Sequence, residues 1–214
     1  MTDKNLLAQI DKEFNNRYPN RVIYDGIADF VAFRNTSPRI LWVLKESNDP
    51  GQTSWHIREF MRTGVKEYPR WKCVWGIPVI ISHALINDVK SFSEIPPEDD
   101  IERVLQKVAA INVKKIGGTS QADQKVINAH YKIDKDLLLK QIEAISPDII
   151  INCSRVWDLF LDLKKTVGFK YIEPFQVAKS KYGPVINAYH PNRRNLTKEK
   201  YFELIQKCLE SVSL

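Results

Sequence analysis

The side chains able to do chemistry are gathered in four polar segments of this 214-residue chain: KESNDPG (Lys45 to Gly51), NVKKIGGTS (Asn112 to Ser120), NCSR (Asn152 to Arg155) and YHPNRRN (Tyr189 to Asn195). Glu46 and Asp49 are carboxylates that can stabilise a developing cation or orient a water, and Ser47 sets a hydroxyl between them. The Asn112 amide both donates and accepts. His190, flanked by Tyr189 and fixed by Pro191, can donate a hydrogen bond to an oxygen on which negative charge builds. Lys114 and Lys115 precede Gly117-Gly118, a pair that lets backbone N–H groups approach a phosphate, and the forks of Arg193 and Arg194, beside Asn192, match phosphate oxygens. Each residue also has a plainer reading. His190 can cap a turn, Asn112 can tie strand ends together, Asp49-Pro50 can open a turn, and the arginines can be solvated at a helix entrance.

What must position these segments are the short Ile- and Val-rich runs that precede them. Arg39 to Leu44, Val108 to Val113, Asp148 to Asn152 and Pro184 to Ala188 are too short and too continuously apolar for a half-exposed antiparallel sheet, and read as strands buried on both faces. Helical spacing between them predicts helices at Ser54 to Met61, Val79 to Val89, Glu98 to Gln106 and Ala122 to Ile145. Further helices are expected at Leu6 to Asn16, Gly26 to Phe33 and Val156 to Lys165, with Thr197 capping a last one to about Val212. Alternating strands and helices with right-handed crossovers give a three-layer α/β/α sandwich with a central four-stranded parallel sheet. Ligands of such sheets bind outside the carboxyl ends of the strands, where all four polar segments fall.

The chain suits one domain over residues 1–214, the first 35 forming a helical extension. Apolar residues make up 43% of it in short runs, the composition of an ordinary globular protein. No run approaches the length that crosses a bilayer, and Met1 to Asn20 lacks the apolar core of a signal peptide, so a cytoplasmic protein without a membrane partner is expected. Cys73, Cys153 and Cys208 are widely spaced, with no His at ligand spacing, which predicts reduced structural cysteines and no metal. A net charge of +6, much of it on Lys114, Lys115, Lys179, Lys181, Arg193 and Arg194, points to an anionic partner.

In the order of its segments the chain resembles the uracil-DNA glycosylase superfamily. Leu41 to Leu44 followed by Lys45, Glu46, Ser47 and Asn48 is similar to that family's first motif, Ala110-Ile111-Asn112 to its base-reading Asn segment, and His190-Pro191-Asn192 to its last motif. The likeness covers Arg39 to the C-terminus and rests on about a dozen positions. Lys45 replaces the Gly that opens the first motif, Ser47 stands where most members carry a water-orienting aspartate, and Asn192 replaces the Ser of the last motif. The four cysteines that bind an iron–sulfur cluster in some branches are missing from the sequence, so no cofactor is expected.

The resemblance implies a monomeric, monofunctional DNA-base glycosylase that hydrolyses the N-glycosidic bond of a flipped uracil or other modified base. His190, Glu46, Asp49 and Ser47 would be the catalytic set, and Asn112 with one of Trp55, Trp71 and Trp75 would hold the base, an aromatic platform being worth ~1–3 kcal/mol. Lys114, Lys115, Asn192, Arg193 and Arg194 would hold phosphates. Loss of the motif aspartate keeps open a binding module of the same fold that recognises nucleic acid or a nucleotide without cleaving it. An enzyme on a small nucleoside is a third class, but it would need no basic face.

Overall fold

Short runs in which every residue is buried alternate with amphipathic helices, and this alternation winds the chain into layers around one sheet. A computed structural model describes residues 2–51, 53–164, 168–193 and 195–213. In chain order the elements are α1 (Lys4–Arg17), β1 (Ile23–Tyr24), β2 (Gly26–Ile27), α2 (Phe30–Arg34), β3 (Ile40–Leu44), β4 (Trp55–His56), α3 (Ile57–Thr63), α4 (Lys72–Ile86), α5 (Glu98–Ile101), β5 (Ala109–Asn112), α6 (Gln124–Ile145), β6 (Ile149–Asn152), α7 (Trp157–Leu163), β7 (Lys170–Ile172), β8 (Phe175–Ser180), β9 (Gly183–Asn187) and α8 (Lys198–Ser213).

The sheet has seven strands in the order β2-β5-β3-β6-β9-β8-β7 and is mixed, which corrects the expected four-stranded parallel sheet. The expected strands do pair parallel, β5 with β3, β3 with β6 and β6 with β9. Antiparallel pairing adds β2 to one edge and the β7-β8 ribbon to the other. A search for continuous apolar runs passes over both additions, because β2 is two residues long and β8 (FQVAKS) mixes exposed and buried positions. Two of the cations that point to an anionic partner lie away from the carboxyl ends of the parallel strands. Lys179 lies within β8, and Lys181 sits in the β8–β9 turn at the far end of β9 from His190, where it pairs with Glu143.

Side chains alternate across the sheet with the period of two that strands impose. Trp42, Ala110, Ile151 and Ile186 belong to a core shared with α3, α4 and α8, while Leu41, Ile111, Ile150 and Val185 join α1, α6 and α7. Three layers result, as expected. The first 35 residues are part of this scaffold rather than a purely helical extension: β2 pairs with β5, and Arg17 on α1 donates to Asp134 on α6 at 2.8 Å.

Three helices start elsewhere than their spacing suggests. Gly26-Ile27 is strand β2, so α2 begins only at Phe30. Trp55-His56 pairs in parallel with Ile23-Tyr24 as a separate two-stranded sheet, so α3 begins only at Ile57. The α4 helix begins at Lys72, well before Val79, and holds Gly76 and Pro78 in its interior. Those residues disfavour a helix locally, but Trp75, Ile77, Val79, Ile80 and Ile81 are all buried, and that burial outweighs the lost backbone bond. The α8 cap is as expected, with Lys200 N donating to Thr197 Oγ1 at 3.1 Å. Among the described residues no helix is long and apolar enough to cross a membrane.

Candidate functional site

Strand alternation carries three polar residues to one side of the sheet. Leu44, Ala110 and Ala188 belong to the core under α4 and α8, and Glu46, Asn112 and His190 each stand two positions further along the same chain paths. All three line a cleft of about 1160 Å³ at the carboxyl ends of the parallel strands. Ser47, Trp55, Trp71, Trp75, Asn192 and Arg193 line it too, so most residues singled out in the sequence converge.

Glu46 is held by continuation of the β3–β5 pairing beyond the strands proper. Lys114 N donates to Lys45 O at 2.9 Å, Gly118 N to Ser47 O at 2.9 Å, and Asp49 N to Gly118 O at 3.0 Å. This strapping leaves no room for a side chain at Gly117 or Gly118. A Cβ at Gly118 would lie 2.1 Å from Glu46 Oε2, and one at Gly117 would lie 2.4 Å from Asp49 O. The glycine pair therefore serves close approach to the carboxylate loop.

Three expectations fail here. Lys114 is buried rather than free for phosphate: its Nζ pairs with Glu46 and donates to Gly117 O at 3.0 Å. Lys115 is 1% exposed and points to the opposite side of the sheet, bonding Asp25 Oδ1 at 2.7 Å and Gln141 Oε1 at 2.8 Å. Asp49 does not line the cleft; its Oδ1 accepts from Gly51 N at 3.2 Å, the turn-forming role, and its Oδ2 is buried with no partner among the described residues. Arg194 lies outside the described residues.

Asn112 is 1% exposed and is fixed from two directions. Its backbone N–H donates to Asp25 Oδ2 at 2.7 Å, and its side-chain Nδ2 donates to Ser47 Oγ at 2.9 Å. Ser47 thus orients the amide. Asp25, which Lys115 and Gln141 hold in place, is the residue behind this arrangement that the sequence reading missed.

His190 follows β9 on a loop held from α8, where the Tyr201 hydroxyl donates to Tyr189 O at 2.9 Å. Asn192 N donates to His190 Nδ1 at 3.2 Å, which makes Nδ1 the acceptor and leaves the ring proton on Nε2. Burial, reinforced by the positive charge of Lys45, pulls the imidazole from its ordinary 6.5 down to about 4. The ring is neutral at pH 7 and keeps an N–H to donate.

Aromatic and cationic walls complete the cleft. Trp71 and Trp75 are mostly buried at the α4 end, whereas Trp55 is partly exposed and packs edge-on against Phe60 at 6.4 Å. Arg193 lies over the Tyr189 ring at 3.4 Å, and Arg155 lies over the same ring at 5.8 Å. Lys45 and Arg70 also line the cleft, and none of these four cations pairs with a carboxylate among the described residues. Arg155 was legible in principle, since it ends the polar segment after β6; Arg70 lies far from any strand end and carried no such signal. Among the described residues no group of three or more His, Cys, Asp or Glu side chains is arranged to hold a metal ion.

No family model matches this chain, and none of the curated proteins matches it.

Proposed function

We propose that the chain is a cytoplasmic, monomeric DNA-base glycosylase that draws a flipped, modified base such as uracil into this cleft and hydrolyses its N-glycosidic bond. The observation that carries the reading is the convergence of Glu46, Asn112 and His190 on one aromatic-walled cleft. In this scheme the base stacks on Trp55, the most accessible of the three tryptophans, while the unused valences of the Asn112 amide meet its hydrogen-bonding edge. The neutral His190 donates from Nε2 to a base carbonyl oxygen as negative charge moves onto the leaving base. With Asp49 turned into its own loop, the acid role falls to Glu46, which stabilises the oxocarbenium-like sugar and orients the attacking water. The unpaired Arg155 and Arg193 face the flanking phosphates.

Two observations favour recognition without cleavage: Lys114 already engages the Glu46 carboxylate, and Ser47 is spent on Asn112. Base release separates the two readings. The purified protein is offered single- and double-stranded oligonucleotides carrying uracil, hypoxanthine or oxidised bases, and free base is measured under single turnover. Release that falls ~10²–10³-fold in His190→Ala supports the enzyme, since that is the scale of losing one pre-organised donor. Binding without release from any of these substrates leaves the binding module standing.

A further inference from the structure

Lys45 differs from the other lysines of the site. Lys114 is tied to Glu46 and Lys115 to Asp25, but the Lys45 ammonium makes no hydrogen bond or ion pair among the described residues. It is half-buried on the wall of the cleft that Glu46, Arg155 and His190, from three different loops, also line. We propose that Lys45 is a nucleophilic amine that condenses with an aldehyde brought into the cleft, the C1′ aldehyde of an abasic deoxyribose being the one that base release would leave there. The choice of aldehyde rests on the glycosylase reading; the amine's reactivity does not.

The environment suits the chemistry. Burial lowers the Lys45 pKa first, the Arg155 charge lowers it further, and Glu46 acts in the opposite sense, so the free-amine fraction rises above that of a solvated lysine. A cation held only to bind an anion gains nothing from that shift. An abasic sugar equilibrates between a cyclic hemiacetal and an open aldehyde. The Lys45 nitrogen lone pair adds to C1′ of the open form and the carbonyl oxygen takes up a proton, giving a carbinolamine. Loss of a proton from nitrogen and of the hydroxyl with a proton, as one water, leaves an imine joining Lys45 Nζ to C1′. No redox partner is needed. Arginine cannot replace lysine here, because its guanidinium stays protonated.

The test uses an oligonucleotide with a preformed abasic site, the full-length protein and borohydride, which reduces the imine to a stable secondary amine. A covalent adduct should form on denaturing gels, and peptide mapping should place it on Lys45. Lys45→Arg should lower its yield by about tenfold or more, since the charge is kept and the nucleophile is lost. No adduct, an adduct mapped to other lysines, or an undiminished yield in Lys45→Arg overturns the proposal and reduces Lys45 to an anion contact. If Lys45→Arg misfolds, mapping on the parent protein decides alone. Because the abasic site is supplied, an adduct without base release would sink the glycosylase reading and keep this one. Release without an adduct would do the reverse.

Discussion

Acidification should destabilise this fold through His190 by an amount that the structure fixes. An ordinary histidine titrates at 6.5, and partial burial beside the Lys45 charge pulls the His190 ring down to about 4. Between those values the unfolded chain has taken up the proton and the folded chain has not, so the unfolded state binds more protons and stability falls as pH falls. The contribution is whole above 6.5 and is lost as pH falls to about 4. At 1.36 kcal/mol per pH unit the interval corresponds to about 3 kcal/mol. Urea denaturation of the parent and of His190→Gln, from neutral pH down to about 4.5, reads this directly. Carboxylates titrate in the same range but are common to both proteins and cancel in the comparison. The parent should lose ~2–3 kcal/mol more than the variant over the window. Equal losses would mean that His190 titrates like a solvated imidazole, and the argument for a neutral Nε2–H donor in a desolvated cleft would fall with it.

Three further perturbations separate the roles assigned above. Gly118→Ala brings a Cβ to 2.1 Å from Glu46 Oε2, so the carboxylate must move about 1.3 Å to reach ordinary contact at 3.4 Å; single-turnover base release should drop ~100-fold, the scale of a 1 Å misplacement, and an unaltered rate would detach Glu46 from the reaction. Lys115→Met leaves Asp25 buried without its cation and should cost ~3–5 kcal/mol in chemical denaturation, a second change of Asp25→Asn recovering much of it; a loss below ~1 kcal/mol would contradict a buried, obligate pair. Arg193→Ala should lower the salt dependence of DNA affinity by ~0.7–0.9 in the log–log slope, and an unchanged slope would take Arg193 out of the interface.

Three of the parallel strands, β3, β5 and β6, were legible because each is a continuous run of buried residues with a polar break after it, a pattern burial on both faces imposes, while β9 was legible from its buried Val185-Ile186. The edges were not. Gly26-Ile27 is too short for any period to show, and the β7-β8 ribbon has an exposed face that dilutes its apolar signal. The start of α4 was hidden for a different reason. Gly76 and Pro78 speak against a helix on local grounds, and only the packing of Trp71, Trp75 and Ile77 into the core, which sequence spacing does not display, decides otherwise.

Within the site, Glu46, Asn112 and His190 reach the cleft by continuing a strand's alternation, and the same rule explains why Lys114 and Lys115 part company. Lys114 and Lys115 looked like one basic patch because they are adjacent. Adjacent residues on an extended chain point to opposite sides of the sheet. Ala110, Asn112 and Lys114 share the parity of the cleft side, and Lys114 reaches Glu46 there. Ala109, Ile111, Val113 and Lys115 share the other, where Lys115 lies over the Phe14 ring at 5.0 Å and neutralises Asp25. Neither cation is left for a phosphate. The first holds the carboxylate at the cleft, and the second holds the aspartate that fixes the Asn112 backbone. The lysine pair thus braces the carboxylate and the amide from opposite faces of one strand extension. Among the described residues, the cleft-lining cations without a carboxylate partner are Arg70, Arg155 and Arg193, beside the amine of Lys45, and four separate connections contribute them rather than one basic run.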